Sequence, residues 1–331
     1  MDKTFRAFVV NQADGQYIAG FKELTQADLP DENVLIEISY SSLNYKDGLA
    51  VTGKGRGVVR NFPMVPGIDI AGTVVDSKDA RFKAGDKVVV IGGGLSETMW
   101  GGYSAFMRVK ADLIVKLPAA FSEKQAMAIG TAGYTAMICV MALEQVGLTP
   151  ASGEIVVTGA AGGVGSVAVA ILAKLGYRVV AASGRAEMHD YLKMLGATEI
   201  ITRADLDRQP KPLEAARWAG GVDSVGGRTL ATVLAQTKPQ GAIAACGLAG
   251  GTDLPTTVMP FILRGVKLLG INYFEIPAGW RETAWKRLAT DLDRAKLDAM
   301  TEIEPLTNIL ALAEKILRGK TRGRVVIDVK A

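Results

Sequence analysis

The feature that most constrains the fold of this chain is the segment EIVVTGAAGGVGSVAVAILAKLG at residues 154–176. A hydrophobic strand leads into a glycine-rich turn and then into an apolar helix. Glycine allows the backbone to approach a pyrophosphate closely, and the helix N-terminus presents N–H groups to anionic oxygens. This context predicts a dinucleotide site, although such a turn can also serve only to pack a helix tightly on a strand. The predicted contacts are Ala160, Gly162, Gly163, Val164 and Gly165, with alanine at the first position of the G-x-G-x-x-G spacing.

The end of the next strand discriminates between the two nicotinamide cofactors. NAD-selective sites usually place Asp or Glu there, to bind the ribose 2′-hydroxyl. Here the strand ends with Ser183, Gly184 and Arg185, and no carboxylate stands at its tip. A serine hydroxyl can donate to a 2′-phosphate, and an arginine can bind it with two N–H groups. Arg203, after the third strand, could approach the same phosphate, or both arginines could be ordinary surface charges. The pattern predicts NADPH as the cofactor.

The chain has two regions with different hydrophobic patterns. The first third contains short β-prone runs separated by Gly, Pro and Asp turns, which favours an antiparallel barrel or distorted sandwich. From about residue 120 onward, hydrophobic strands alternate with helices, which predicts an α/β protein with a doubly wound parallel sheet. The runs in the first third are Phe5–Val10, Val34–Ser42, Ile70–Val75 and Lys87–Ile91. The later strands are expected at 154–158, 178–182, 198–201, 222–225, 242–246 and 266–271, after helices at 122–129 and 134–145.

The C-terminal segment is predicted to return to the first domain. Beyond Pro277 the sequence holds two amphipathic helices and a final strand, Arg324–Val329. A terminal strand has no place in a finished doubly wound sheet, so we expect it to pair in the β-rich domain. The predicted boundaries are therefore 1–128 and 277–331 for the β-rich domain and 129–276 for the dinucleotide-binding domain.

Composition excludes several kinds of site. The chain has two cysteines, Cys139 and Cys246, and one histidine, His189, which excludes a disulfide framework and a zinc lobe with four cysteines. The formal charge of +4 is small and scattered, which disfavours a nucleic-acid partner. No signal peptide or membrane-spanning segment is visible in the sequence. Together with free thiols, this predicts a cytoplasmic protein with no membrane partner.

The predicted domain order resembles the medium-chain dehydrogenase/reductase superfamily, whose first domain is GroES-like. Its alcohol dehydrogenase branch holds a catalytic zinc with Cys and His, which this chain cannot supply. The GAAGGVG turn is similar to that of the zinc-free quinone oxidoreductase branch. Further segments resemble the acrylyl-CoA reductase subgroup: SSLNYKD (41–47), TGKG (52–55), NFPMVPGIDIAGTV (61–74), WGGYSAF (100–106), IGTAGYTAM (129–137), ACGLAGG (245–251), LPTTVMPFILRGV (254–266) and GRVV (323–326).

The resemblance implies an activity and a set of candidate residues. The activity is NADPH-dependent, zinc-independent reduction of acrylyl-CoA to propionyl-CoA, with hydride transfer to the β-carbon. Tyr45 would face the nicotinamide and carry a hydroxyl donor, or it could merely pack against the cofactor. Asn44 would donate to a carbonyl, or it could cap the local turn. Lys46 and Asp47 could pair with each other, and water could supply the proton.

Further cofactor contacts are expected at scattered positions. Thr131 is predicted to open a helix beside the cofactor. Gly247 and Leu248 follow a late strand, where ligands collect at strand C-termini. Asn272 could meet the carboxamide through its backbone. By resemblance, Arg324 would reach cofactor or CoA phosphates, unless it is a plain surface arginine.

Other functions remain open at this stage. A quinone or free enone reductase would use the same hydride step, and a dinucleotide-binding protein without catalysis is a third possibility. The basic loop with Lys54, Arg56 and Arg60 could bind CoA phosphates or be solvated charge. The segment 266–274 could be an edge strand that pairs with its own copy, which predicts a homodimer.

Overall fold

The structure is a computed structural model that describes residues 4–55 and 57–331. It divides into two compact units. Unit 1 contains residues up to Thr131 and residues Thr301–Ala331, and unit 2 contains Ala132–Met300. Unit 1 contains the β-prone runs of the first third of the sequence, and unit 2 contains the glycine-rich turn.

The N-terminal part of unit 1 is built mainly from antiparallel strands. Each of the four predicted β-prone runs coincides with a strand. The strand β2 was not predicted, because it is only partly buried and its apolar residues do not alternate regularly with polar ones. The elements are β1 (Phe5–Ala13), β2 (Gln16–Leu24), β3 (Val34–Leu43), α1 (Tyr45–Thr52), β4 (Asp69–Ser77), β5 (Lys87–Ile91), β6 (Phe106–Val109) and β7 (Ile114–Lys116).

The long helix α2 (Glu123–Gln145) is broken at Gly130, whose φ of 46° and ψ of −162° are not helical. This break separates the two helical segments predicted from the sequence. By length and composition α2 could cross a membrane, but its apolar window is entirely buried inside the protein. Such burial is typical of the core helix of a soluble protein.

Unit 2 contains a parallel sheet with the strand order β10-β9-β8-β11-β12-β13. The order reverses at β8 and β11, and ligands of such sheets bind at the carboxyl ends of the strands at this switch point. The elements are β8 (Glu154–Val157), α3 (Gly163–Lys174), β9 (Arg178–Ser183), α4 (His189–Leu195), β10 (Glu199–Thr202), β11 (Trp218–Asp223), α5 (Gly227–Ala235), β12 (Thr237–Ala245), α6 (Met259–Arg264), β13 (Lys267–Gly270), α7 (Trp280–Asp291) and α8 (Arg294–Ala299).

The boundary after unit 2 lies at residue 300, later than the expected 276. Helices α7 and α8 belong to unit 2 because their contacts are there. The Trp285 ring lies 6.2 Å from the Tyr134 ring, and Arg287 forms an ion pair with Glu144. An amphipathic helix shows in its sequence that it must pack, but not against which partner.

The chain then returns to unit 1 through β14 (Thr301–Pro305), α9 (Ile309–Leu317) and β15 (Arg324–Asp328). The strand β15 pairs antiparallel with β3, so the predicted return of the final strand is confirmed. The sheet has the order β14-β15-β3-β4-β5-β7, with β6 also paired to β3. Helix α9 packs on α1 at Gly48, where an added Cβ would lie 2.8 Å from Ile316 Cγ2. The C-terminal segment therefore packs against α1, the helix that carries Tyr45.

Candidate active site

The glycine-rich turn of unit 2 has the geometry of a dinucleotide site. It connects β8 to α3, with Gly162 as the N-cap of the helix. A Cβ added to Gly165 would lie 2.3 Å from the Gly159 carbonyl oxygen and 2.6 Å from Ala160 Cα. Helix α3 can therefore approach the turn only because residue 165 is glycine, which is the role of the third glycine in this type of site.

A buried carboxylate braces this turn at the sheet's switch point. Asp223, at the end of β11, accepts a hydrogen bond of 2.6 Å from Thr158 Oγ1 and one of 2.8 Å from Gly226 N. Burial raises the pKa of Asp223 above its usual value. Asp223 was not among the predicted site residues, although an aspartate that ends an apolar strand is a visible signal. The brace fixes the two strand ends between which a dinucleotide would lie.

The residues predicted to bind a 2′-phosphate lie together. Ser183 ends β9 and pairs with Thr202 at the end of β10, so Arg203 follows directly beside Ser183. A Cβ added to Gly184 would lie 3.2 Å from Arg203 Nε, so the arginine side chain passes over this glycine. The Ser183 hydroxyl oxygen accepts a hydrogen bond of 3.2 Å from Arg185 N. Arg185 and Arg203 thus both lie next to a strand end that has no carboxylate, an arrangement suited to binding an anion.

The remaining predicted residues of unit 2 lie at strand ends. Gly247 and Leu248 follow β12, and Leu248 is 57% exposed. A Cβ added to Gly247 would lie 2.3 Å from the Ser224 carbonyl oxygen, so this glycine permits a close approach of two loops. Asn272 follows β13, is exposed, and accepts a hydrogen bond of 3.1 Å from Phe274 N. All three therefore stay on the carboxyl side of the sheet.

In unit 1, Tyr45 is the first residue of α1 and is 39% exposed. The next residue, Lys46, forms an ion pair with Glu97. The expected pairing of Lys46 with Asp47 is wrong, because Asp47 is fully buried and points into the protein. Glu97 also lies 3.7 Å from an Arg60 nitrogen. Arg56, the middle cation of the predicted basic loop, lies outside the described residues.

The side chain of Asn44 is held inside the protein. Its Nδ2 donates to Asp69 Oδ2 at 2.8 Å and to Asp47 Oδ2 at 3.0 Å. Its Oδ1 accepts a hydrogen bond of 3.3 Å from Arg324. Asn44 is only 8% exposed. The amide is therefore engaged within the protein, which favours the capping alternative over donation to a substrate carbonyl.

Asp47 carries the other half of the cap of α1. Its Oδ2 accepts a hydrogen bond of 2.9 Å from Asn44 N, and its Oδ1 accepts one of 2.9 Å from Ile68 N. Burial and the negative charge of Asp69 raise the pKa of Asp47 to about 7, although these N–H donors act in the opposite direction. The same burial, with both carboxylates nearby, raises the pKa of Tyr103 well above its usual value.

Asp69, at the start of β4, meets the restart of α2. Its Oδ2 accepts a hydrogen bond of 2.9 Å from Thr131 N, and its Oδ1 accepts one of 2.6 Å from Thr131 Oγ1. Ser42 Oγ donates to Asp69 Oδ2 at 2.5 Å. Thr131 thus opens a helical segment, as predicted, and it does so on a buried carboxylate.

Arg324 is an interior residue of unit 1. It is 2% exposed, and its Nε donates to the Ala128 carbonyl oxygen at 2.7 Å. A side chain so deeply buried has no surface to offer a phosphate, so the structure of this unit does not support the expected phosphate contact. It equally rules out the alternative of a plain surface arginine. The guanidinium instead donates to Asn44 Oδ1, whose amide nitrogen is bound by the two buried carboxylates, Asp47 and Asp69.

The residues suited to zinc lie apart from this cluster. Cys139 is buried in α2, Cys246 follows β12, and His189 begins α4. A hydrogen bond with Cys246 and burial raise the pKa of the Cys139 thiol well above its usual value. Over residues 4–55 and 57–331, no group of three His, Cys, Asp or Glu side chains is arranged to hold a metal ion.

Comparisons with known proteins cover both units. The alcohol dehydrogenase GroES-like domain model matches residues 30–119, and the zinc-binding dehydrogenase model matches residues 163–290. The chain is 53% identical to the acrylyl-CoA reductase AcuI of Ruegeria pomeroyi over 330 residues, which is 99% of this chain and 100% of that protein. The crystal structure of Escherichia coli K-12 YhdH with bound NADPH is 50% identical, with a TM-score of 0.95 over 98% of this chain and 99% of that one.

A third relative has a different name and a different bound cofactor. The putative quinone oxidoreductase YhfP of Bacillus subtilis is 44% identical over 332 residues, which is 99% of this chain and 100% of that protein. The crystal structure of yhfP with NAD bound has a TM-score of 0.93, at 42% identity over 98% of this chain and 99% of that one.

Proposed function

This chain belongs to the zinc-free branch of the medium-chain dehydrogenase/reductase family, and we propose that it uses NADPH to reduce acrylyl-CoA to propionyl-CoA. The observation that carries this proposal is the 53% identity to an acrylyl-CoA reductase along the full chain. The strand end formed by Ser183, Gly184 and Arg185, with Arg203 beside it, supports NADPH, because it offers cations and no carboxylate to the ribose.

The residues of unit 2 fit a dinucleotide. The close approach of Gly165 to Gly159 leaves no room for a Cβ, and the N-cap position of Gly162 leaves the first N–H groups of α3 available to a pyrophosphate. Bound NADPH supplies a hydride to the β-carbon of the alkene. Gly163 and Val164 begin the helix, and we propose that they contact the cofactor together with Ala160 in the turn.

In unit 1, Tyr45 is suited to stabilise the charge that develops during the reaction. Negative charge develops on the thioester oxygen when the β-carbon accepts hydride, and the α-carbon then takes a proton. Tyr45 is half-exposed on a helix whose N-terminus is fixed by Asn44 and Asp47, so its hydroxyl can donate to that oxygen. Tyr45 is therefore the residue we propose for stabilising the enolate.

The test is NADPH oxidation by the purified protein with acrylyl-CoA, a longer enoyl-CoA and a simple quinone. We expect the highest kcat/KM with acrylyl-CoA. Replacing Tyr45 by Phe should lower kcat about a hundredfold while the protein keeps its affinity for NADPH. If Tyr45→Phe turns over acrylyl-CoA at the wild-type rate, the hydroxyl has no part in catalysis.

Reduction of quinones is the second candidate function. It is favoured by the 44% identity to a putative quinone oxidoreductase over the full chain. The same substrate panel decides between them, because a quinone reductase would reduce the quinone faster than any CoA thioester. Tight NADPH binding without turnover of either class would instead indicate a protein that only binds the dinucleotide.

We also propose that the protein is a cytoplasmic homodimer. In unit 2, β13 is one of the two edge strands of the sheet. Exposed apolar side chains lie close by in the sequence, including Val258 at 66% and Ile262 at 71% exposure. An exposed edge strand with apolar neighbours is suited to pairing with a second copy. Analytical ultracentrifugation at micromolar concentration tests this, and a monomer would contradict it.

A further inference from the structure

The carboxylate of Asp69 joins segments of unit 1 that are far apart in the sequence. It is fully buried and accepts hydrogen bonds from residues 42–44, where β3 ends and α1 begins, and from the restart of α2. The donors are Ser42 Oγ, Asn44 Nδ2, Thr131 N and Thr131 Oγ1, at 2.5, 2.8, 2.9 and 2.6 Å. A buried acceptor with this many donors fixes each of them in place, because any movement would leave a buried polar group unpaired.

The first of these segments is the restart of α2. The helix breaks at Gly130, and the segment that begins at Thr131 needs an acceptor for its first N–H group. Asp69 fills that place with a negative charge, which is favourable at a helix N-terminus. A Cβ added to Gly130 would lie 2.6 Å from Asp69 Oδ2 and 2.8 Å from an Arg324 nitrogen. The break in α2 is therefore shaped around this carboxylate and its neighbouring guanidinium.

The second segment is the start of α1. Asn44 immediately precedes Tyr45, and its amide can turn over unless both ends are held. Asp69 and Asp47 accept from the amide nitrogen, and Arg324 donates to the amide oxygen. The amide thus has one orientation. The backbone N–H of Asn44 is bound by Asp47 within the same turn, and the bond from the Asn44 amide to Asp69 connects the start of α1 to β4.

We propose that Asp69 is a positioning residue for the reduction, which holds Tyr45 and Thr131 in their working places through one buried carboxylate. This inference rests on the proposed function. Replacing the carboxylate of Asp69 by an amide would disturb these hydrogen bonds. An asparagine offers one oxygen and one NH₂ group. With the NH₂ at the Oδ2 position it would face the N–H donors of Asn44 and Thr131, and with the NH₂ at the Oδ1 position it would force the Thr131 hydroxyl to change from donor to acceptor. In both orientations the negative charge at the start of the helical segment is lost. Asp69 touches no reacting atom in this proposal and acts only through its neighbours.

The test compares Asp69→Asn with Ile36→Val, a matched control that removes one methyl group from the buried core of the same unit. For Asp69→Asn we expect kcat with acrylyl-CoA to fall about a hundredfold, because small misplacements of reacting groups are costly. The Kd for NADPH should stay within twofold of the wild-type value, since the predicted phosphate contacts lie in unit 2. Ile36→Val should lose thermal stability without the fall in kcat.

Amide hydrogen exchange gives a second measurement that does not depend on activity. Asp69→Asn should exchange faster than the wild type at residues 44–47 and at residues 131–134 together, whereas Ile36→Val should not. Should Asp69→Asn fail to fold, Ser42→Ala removes one donor from the carboxylate and should give a smaller change in both measurements.

The outcomes separate the proposals. If the wild type reduces no enoyl-CoA, the proposed function fails, and the exchange result still decides whether Asp69 couples the two segments. A folded Asp69→Asn protein with wild-type kcat would overturn the positioning role. So would a fall in kcat that Ile36→Val reproduces, because the effect would then come from general destabilisation.

Discussion

The preference for NADPH should depend on Arg203 and Arg185 at the ends of β10 and β9. A hydrogen bond to a charged group contributes about 1.5–3 kcal/mol, and about 1.4 kcal/mol corresponds to tenfold in affinity. Arg203 is exposed, so solvent screening places it at the lower end of that range. We therefore expect Arg203→Ala to reduce the ratio of kcat/KM for NADPH to that for NADH about tenfold. Arg185 is half-buried, and Arg185→Ala should reduce the ratio about tenfold to a hundredfold.

The structure supplies a matched control and a finer probe. Arg178 lies at the opposite end of β9 and forms an ion pair of 3.2 Å with Glu154. Arg178→Ala removes the same charge from the same strand and should leave the cofactor ratio unchanged. In Gly184→Ala, the new Cβ would lie 3.2 Å from Arg203 Nε and should push the guanidinium aside. This variant should show a smaller loss of selectivity in the same direction.

The assay is steady-state reduction of acrylyl-CoA with each cofactor, together with direct Kd values for NADPH and NADH. The losses should appear in NADPH binding and leave NADH almost unaffected. They should also shrink at high ionic strength, because exposed charges are screened. If Arg203→Ala and Arg185→Ala both keep the wild-type ratio, or if Arg178→Ala lowers it equally, these cations do not recognise a 2′-phosphate.

Three further outcomes follow from the geometry. Because the pKa of buried Asp47 is raised to about 7, Asp47 should stabilise the protein most at low pH, and this contribution should fall by at most about 4 kcal/mol as pH rises from about 4 to 7. Asp47→Asn should remove this pH dependence of the melting temperature. If the melting temperatures of the wild type and Asp47→Asn change with pH in the same way, Asp47 is not its source. Gly165→Ala places a Cβ 2.3 Å from the Gly159 carbonyl oxygen and should destabilise unit 2 by about 1–3 kcal/mol and weaken NADPH binding, measured by melting and titration. Ile262→Glu, at a site 71% exposed, should shift sedimentation toward monomer, and an unchanged dimer would place the interface elsewhere.

Local patterns predicted most of the fold because buried strands carry continuous or alternating apolar residues. The strands β3 and β8 could be located this way, since their side chains are nearly all buried. The strand β14 (sequence TEIEP) could not, because it is polar and only partly buried, and its parallel partner β15 lies beyond α9. The dinucleotide turn could also be predicted from the sequence, because phosphate recognition there uses backbone groups of one continuous segment.

The buried cluster of unit 1 was harder to predict from the sequence, because its residues are distant in the sequence. Asn44 and Arg324 are 280 residues apart, yet they share a hydrogen bond. One signal was nevertheless present: arginine begins the apolar strand RVVID, and a buried guanidinium needs a carboxylate or carbonyl partner. The aspartate in GIDIAG also stands among apolar residues, so it was a natural candidate. Because a buried charge is tolerated only where it has a partner, an isolated charged residue in one apolar segment predicts a partner in another. By this reasoning Asp69 and Arg324 could have been assigned to one buried cluster, next to the helix that carries Tyr45.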